Sequence, residues 1–362
     1  MEQQSNHYFV NPWVDFSFIG GISVIAFFLM AFLIPADTPG QVVVIAGYLT
    51  WICNNPHFAA TTYRLYKSKE NRAQFPFTTY IVPFIVLAFV FASIAFPKTI
   101  APFFIKFFFI WSPFHFCGQS FGISMVYARR ARIKMGNFER QALKTFIYAS
   151  FVGVVFHVDA LIKSSQHYNI EYLALNVPVS FYWISLAVMV VAGGCLVYSL
   201  YQQKKSQKRS IPLIVFLPAL THLVWFVGGD YHYGFNILVP FFHSAQYLFI
   251  AWAMQTKDEV EKGKQSGFLT DKIFVLKRTI PWFLINCVVG AGMFEGLPLI
   301  FPAASADPMV TIGIVIVGVQ VHHFFVDGVI WKLKSQHKTS PLLVNISEYI
   351  EPTPVTTNEV LA

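Results

Sequence analysis

Ten stretches of mostly apolar residues, each about 20 residues long, run through this chain and are separated by short polar segments. A stretch of that length is what one α-helix needs to cross the hydrocarbon core of a bilayer. Only 12% of the residues are charged, against about a quarter in soluble domains. The sequence therefore predicts an all-α fold, a polytopic integral membrane helical bundle. The ten predicted transmembrane helices cover residues 16–35, 42–66, 76–96, 100–127, 142–162, 179–201, 211–228, 235–255, 280–301 and 308–332.

Lysine and arginine are concentrated in every second connecting segment, whereas the segments between them contain only Lys98 and Lys163. The positive-inside rule then places both termini in the cytoplasm, and we expect a multi-pass protein of a bacterial inner (cytoplasmic) membrane. The net charge of +8 is a topology signal, so we expect membrane lipids and no nucleic acid as partners. Two regions follow: a transmembrane bundle domain over 1–334 and a polar cytoplasmic tail over 335–362.

Five of the predicted spans carry histidine near the level of the bilayer midplane. Ionisable side chains are costly at that depth and usually mark a functional site. Imidazole is also the commonest protein ligand for iron, copper and zinc. The pattern favours a buried metal site in the bundle, although each histidine alone could instead hydrogen-bond between helices. The candidate metal ligands are His57, His115, His222, His243, His322 and His323.

Two further residues share a helix face with these histidines. Side chains four residues apart lie one above the other on a helix, as do His323 with Asp327 and His243 with Tyr247. We expect the Asp327 carboxylate to orient a histidine ring, and Tyr247 either to hydrogen-bond or to be a ligand itself. His322 and His323 point about 100° apart. We therefore expect one of them to ligate and the other to contact a neighbouring helix.

Four segments resemble motifs of the Brp/Blh family of membrane β-carotene 15,15′-dioxygenases, in the same order and at comparable separations. Asn55-Pro56-His57-Phe58-Ala59 resembles the family's Pro-His-Gly-Ala motif, and the segment 114–118 (FHFCG) resembles its His-Phe-Gly motif. The segment 242–244 (FHS) resembles Phe-Ile-His-Ser, and 321–327 (VHHFFVD) resembles the last-span pattern of Pro-His followed by aspartate. The four blocks cover about 60 of the 362 residues, and one extra span precedes the first.

The resemblance implies iron binding by the residues that match family histidines, namely His57, His115, His243 and His322. The chain departs from the family at two positions. Tyr247 stands where the family has a second histidine, and Thr61 stands where the first motif ends in aspartate. His222 or His323 would then complete a different ligand set. What carries over is an oxygenase-like membrane iron site rather than carotene cleavage itself.

We therefore expect an integral membrane non-haem iron oxidoreductase, dioxygenase-like, that acts on an apolar isoprenoid, carotenoid or lipid substrate. Iron (Fe²⁺) is the expected cofactor, with haem or copper as alternatives. Two other classes remain open at this stage: a haem-binding membrane redox protein, and a multi-pass transporter or channel.

Overall fold

A computed structural model describes residues 7–35, 40–161, 165–207, 211–268, 271–301 and 307–330. The predicted all-α fold is confirmed, because the described residues are almost wholly helical. The predicted tail over 335–362 lies outside the described residues. So do Lys332 and Lys334, which end the predicted bundle domain.

The helices of the first half of the chain precede one short hairpin. They are α1 (Pro12–Phe16), α2 (Ile22–Leu33), α3 (Gly40–Leu49), α4 (Asn55–Tyr66), α5 (Lys69–Gln74), α6 (Val82–Ala95), α7 (Ala101–Arg130) and α8 (Asn137–Leu161). Two antiparallel strands follow, β1 (Gln166–His167) and β2 (Ile170–Glu171). The second half comprises α9 (Ser180–Gln207), α10 (Leu217–Leu223), α11 (Gly229–Tyr231), α12 (Tyr233–Asn236), α13 (Val239–Gln265), α14 (Lys272–Ala291), α15 (Leu297–Ile300) and α16 (Pro308–Ile330).

Short π-helical turns join several of these helices into longer rods. Within the described chain they cover Ser17–Gly21, Thr50–Asn54, Phe77–Ile81, Val224–Gly228 and Gly292–Gly296, and a 3₁₀ turn covers Leu213–Val215. The turn at Thr50–Asn54 leads directly into Pro56, whose ring nitrogen cannot donate the next helical hydrogen bond. Such turns are often found at functional sites. Here the turn ends three residues before His57.

Among the described residues, seven helical segments are long and apolar enough to cross a membrane. The predicted spans 42–66, 100–127 and 211–228 are largely helical but are not among the seven. The first two contain polar side chains within their apolar sequence, and in the third the continuous helical run from Leu217 to Tyr231 is too short. One of them, α7, has 30 residues and is therefore about 45 Å long. It is long enough for a bilayer, and half of its residues are buried in the bundle.

The helix α16 packs against α4, α6 and α7 and so lies inside the bundle. The helix α14 covers the other side of α4. At their crossing, a Cβ atom on Gly290 would come 2.3 Å from the backbone oxygen of Asn55. Only glycine allows this approach, which lies two residues before His57 and fixes the start of α4.

Candidate metal centre

Four of the six predicted ligands meet inside the bundle, and each comes from a different helix. His57 lies on α4, His115 on α7, His243 on α13 and His323 on α16. All four are buried, with at most 7% of any residue exposed. A proline in or before the same helical turn precedes each of the first three: Pro56, Pro113 and Pro240. Pro56 and Pro240 occupy the first turns of α4 and α13, where proline is tolerated, whereas Pro113 lies inside α7 and removes a backbone hydrogen bond there.

The four imidazoles form a closed ring. Centroids of neighbouring rings are 4.4 Å apart for His57 and His323, 5.2 Å for His323 and His115, 5.1 Å for His115 and His243, and 5.2 Å for His243 and His57. The possible ligand atoms of His57, His115 and His323 all lie within 4.8 Å of one another. Two nitrogens on opposite sides of one transition-metal ion are about 4.2 Å apart, twice the usual bond length. Small ring rotations therefore bring three nitrogens to one ion.

The ring nitrogens of this cluster are largely without hydrogen-bond partners within the described part of the chain. They are Nε2 of His57, Nε2 of His115, and both nitrogens of His243 and of His323. An unsatisfied buried polar atom costs about 1–3 kcal/mol. Six such atoms at one place are therefore unusual unless something else binds there. A metal ion would accept a lone pair from each ring.

The tautomer of His57 is set by two polar neighbours. The Ser244 hydroxyl donates to Oδ1 of Asn54 at 3.0 Å, and its oxygen lies 3.0 Å from Nδ1 of His57. Because that hydroxyl has a single proton, Nδ1 of His57 is the donor to it. Nε2 then carries the free lone pair, which is the state a metal ligand requires.

Aromatic rings close the cluster off from water. Phe116 stacks on His243 with 3.9 Å between ring centroids, and Phe58 lies 4.2 Å from His323. Phe324 covers His115 at 5.0 Å. The apolar wall lowers the local dielectric constant, which strengthens electrostatic interactions inside it.

Tyr247 lies beside the cluster and contacts Thr61. Its ring centroid is 4.2 Å from that of His57, and its hydroxyl is 2.6 Å from Oγ1 of Thr61. These two residues are the positions at which the sequence departs from the Brp/Blh motifs. The two departures thus form one contact, in which a neutral pair of hydroxyls stands where the family motifs have aspartate and histidine.

The predicted orienting residue Asp327 lies near a different histidine from the one expected. Its Oδ2 is 3.5 Å from Nε2 of His115, on the neighbouring helix α7. The two ring nitrogens of His323, one turn away on its own helix, make no hydrogen bond with described residues. The packing of α16 against α7 therefore pairs Asp327 with a histidine from another helix.

Two predicted ligands lie outside the ring. Nε2 of His222 is 3.2 Å from the Cys117 sulfur, and Nδ1 is 3.3 Å from Oγ of Ser120, so both nitrogens are already in contact with α7. His322 is half-buried and points away from the cluster, as the 100° offset from His323 requires. The structure thus brings together four of the six candidates.

A cavity of about 300 Å³ opens next to the cluster, between α7, α13 and α16. His115, Tyr247 and Asp327 lie on its wall, together with Gln119 and apolar residues. Two hydrogen bonds fix the side-chain amide of Gln119. Its Nε2 donates to the backbone oxygen of His243 at 3.1 Å and to Oε1 of Gln246 at 2.8 Å. A small apolar molecule in this space would reach the edge of the histidine cluster.

Sequence reasoning missed Asn54 and Ser244 as partners of the site. The signal for Ser244 was its place directly after His243 in the motif-like segment, since a helix neighbour of a ligand can face an adjacent helix. Nothing in the spacing pointed to Asn54, which meets Ser244 only because α13 packs against the turn at Thr50–Asn54.

Comparisons of the chain with protein-family models, with curated proteins and with solved structures found no match. The resemblance to the Brp/Blh family thus rests on the four short motifs alone.

Proposed function

We propose that this protein is an integral membrane non-haem iron oxidoreductase, dioxygenase-like, that acts on an apolar substrate. The observation that carries the proposal is the ring of four buried histidines next to an apolar cavity, since each of them has at least one ring nitrogen without a hydrogen-bond partner among the described residues. His57, His115, His243 and His323 are the proposed ligands.

The donor set favours a transition metal. Imidazole nitrogen suits iron, copper, nickel and zinc, whereas magnesium and calcium prefer oxygen ligands. We favour iron because the cavity next to the cluster is largely apolar and because the resemblance to the Brp/Blh motifs also implies iron. Copper is the alternative. When bound with open coordination positions, iron supplies the activation of dioxygen.

The side chains around the ligands have separate tasks in this proposal. Ser244 holds His57 with its lone pair on Nε2. Asp327 places a carboxylate beside His115 and so favours a positive charge at the centre. The rings of Phe58, Phe116 and Phe324 exclude water, which protects reactive species from side reactions.

Haem is a less favourable occupant than a single ion. A macrocycle would have to fit between the imidazoles, where Phe58 and Phe116 already lie within 4.2 Å and 3.9 Å of His323 and His243. A transporter of metal ions is also less favoured, because four buried ligands behind aromatic rings suit a resident ion rather than one in transit.

We further propose ten spans, cytoplasmic termini and a location in a bacterial inner membrane. The support is the alternation of lysine and arginine along the chain together with seven helices that are apolar enough to cross a bilayer. The remaining three spans would be the more polar helices inside the bundle, which carry His57, His115 and His222.

Metal analysis of detergent-purified protein tests the proposal directly. After expression with iron supplied anaerobically, we expect one iron per chain. His57→Ala, His115→Ala, His243→Ala and His323→Ala should each remove most of the metal from folded protein. His222→Ala is the matched control and should retain it, because both nitrogens of His222 are engaged elsewhere.

A negligible amount of every transition metal in the wild-type protein would contradict the proposal. Retention of full metal by the four alanine variants would contradict the ligand assignment. A Soret band in the purified protein would show that haem is the cofactor instead.

A further inference from the structure

One face of α7 forms the floor of the cavity along several turns. Its lining residues Trp111, His115, Gly118, Gly122 and Val126 recur every three or four positions, which places them in one stripe. From Trp111 to Val126 this stripe extends roughly 22 Å along the helix. The cavity is therefore a narrow groove parallel to α7, and we call it the α7 groove. It passes the metal centre at His115.

Glycines keep the α7 groove open. A Cβ atom on Gly122 or on Gly328 would meet no atom within 4 Å, and one on Gly118 would meet only the Tyr148 hydroxyl at 3.9 Å. Glycine inside a helix costs about 1 kcal/mol relative to alanine. Packing does not demand glycine at these three positions, because larger side chains would project into free space.

The groove meets the proposed metal centre at its wall. His115 and Asp327 both line it, and Oδ2 of Asp327 lies 3.5 Å from Nε2 of His115. The groove is also accessible from the lipid side, because Phe114, Gly118 and Gly328 on its rim are exposed. A molecule dissolved in the membrane can therefore enter between α7 and α16.

The basic end of α7 offers a charge for one end of such a molecule. Arg129 is exposed one turn beyond Val126, and its side chain makes no hydrogen bond or ion pair with the described residues. The neighbouring Arg130 is engaged with backbone oxygens of His7 and Tyr8. From Arg129 to His115 the helix extends about 21 Å, which suits an extended long hydrocarbon chain.

We propose that the α7 groove binds a long-chain fatty acid, with its carboxylate at Arg129 and its chain passing His115. This assignment rests on the proposed function and names the substrate class of that site. A volume of about 300 Å³ is at the lower limit for ligand pockets. Spread along the helix, it accommodates one unbranched chain and excludes bulky rings.

Binding of cis-parinaric acid, a fluorescent polyene fatty acid, tests the proposal in detergent-purified full-length protein. Trp111 lines the groove, so bound probe should accept energy from tryptophan and show saturable binding. Oleic acid should displace the probe, whereas phosphatidylglycerol vesicles and cholesterol should not. Displacement by either of the last two as effectively as by oleic acid would overturn the proposal.

Groove variants locate the binding site. Gly122→Phe fills the groove and should weaken binding of the probe at least about ten-fold, and Gly328→Phe repeats the test from the opposite wall. Gly194→Phe on α9, where a Cβ atom also meets nothing within 4 Å, is the matched control and should bind as wild type. Each variant is compared as monodisperse protein. Unchanged affinity in both groove variants would overturn the proposal.

The role of charge is tested at Arg129. Arg129→Gln should weaken binding of oleic acid up to about five-fold, the upper range for an exposed ion pair, and should leave binding of oleyl alcohol unchanged. Equal loss for acid and alcohol would overturn the placement of the carboxylate. Metal content is measured in parallel. If wild-type protein binds fatty acid but contains no metal, the groove assignment stands and the proposed iron function fails. If it contains metal but binds no fatty acid, the iron site stands and the groove assignment fails.

Discussion

At the scale of single residues, the centre depends on hydrogen bonds that choose between the two nitrogens of an imidazole. His57 is the clearest case, because Ser244 and Asn54 together assign the proton to Nδ1. Outer partners of this kind commonly change metal affinity or activity 10–100-fold when removed. The centre therefore includes, besides the four proposed ligands, the hydroxyl that orients one of them.

We expect Ser244→Ala to weaken metal binding by about 10–100-fold without unfolding the protein, because His57 then loses the partner that fixes its tautomer. The measurement is the affinity for Fe²⁺ by competition with a chelator. Ser120→Ala is the matched control, since it removes a hydroxyl that contacts His222 instead. Equal losses in the two variants would show that the effect is not specific to His57.

His167 provides a pH-dependent contribution outside the membrane-spanning segments. It lies on β1, its ring is 4.9 Å from that of Phe109, and burial lowers the pKa of His167 below its usual value of 6.5. The folded state then binds fewer protons than the unfolded state. Stability is therefore retained above about pH 6.5 and falls as the pH drops through that value towards the folded pKa.

The corresponding prediction is that His167→Phe reduces the loss of stability on acidification. Thermal unfolding in detergent, measured from about pH 7.5 down to about pH 5 across the usual histidine range, should show a smaller decrease in Tm for the variant than for wild type. Parallel decreases in both proteins would mean that His167 does not contribute.

At the scale of helices, close packing fixes the position of the helix start that carries His57. The helix α14 comes too close to α4 for a side chain at Gly290, which lies against Asn55, two residues before His57. The preceding π turn and Pro56 leave this part of the rod with fewer internal hydrogen bonds. The position of His57 therefore depends on tertiary contact with α14 as well as on helical geometry.

We expect Gly290→Ala to destabilise the protein by about 1–3 kcal/mol, the usual effect of overpacking, and to weaken metal binding because α4 must shift. Gly292→Ala lies half a turn away on an exposed surface and should be neutral or slightly stabilising, since a Cβ atom there meets nothing within 4 Å. Thermal unfolding and metal content of the pair check this. Similar Tm values for the two variants would contradict the packing argument.

At the scale of the whole molecule, membrane topology decides which side of the bilayer each loop faces. The segment from Leu217 to Tyr231 is the critical one, because its 15 helical residues extend only about 22 Å, less than a hydrocarbon core of about 30 Å. The turn at Leu213–Val215 adds the remaining length. A crossing here is needed for ten spans.

Reporter fusions at Lys205 and at Asp230 test this crossing. We expect them to report opposite sides of the membrane, with Lys205 in the cytoplasm, because Lys204, Lys205, Lys208 and Arg209 form one of the basic segments. Reports from the same side would show that this segment does not cross. The two termini could then no longer both lie in the cytoplasm.

The all-α bundle and the depth of the histidines were predictable from the sequence. Apolar stretches of sufficient length can satisfy their backbone groups in lipid only as helices, and the position of a residue along a helix follows from its number. His57, His115, His243 and His323 could therefore be placed near one level before any fold was known. Their binding of metal stays a prediction.

Only the tertiary structure decided which side chains meet. A sequence gives the angle between His322 and His323 but not the rotation of α16 about its axis, and that rotation places His323 at the centre. The same applies to His222, which faces Cys117 and Ser120, and to Asp327, which lies beside His115 rather than His323. Contacts within a helix follow from its regular period, whereas contacts between helices depend on packing summed over the whole bundle.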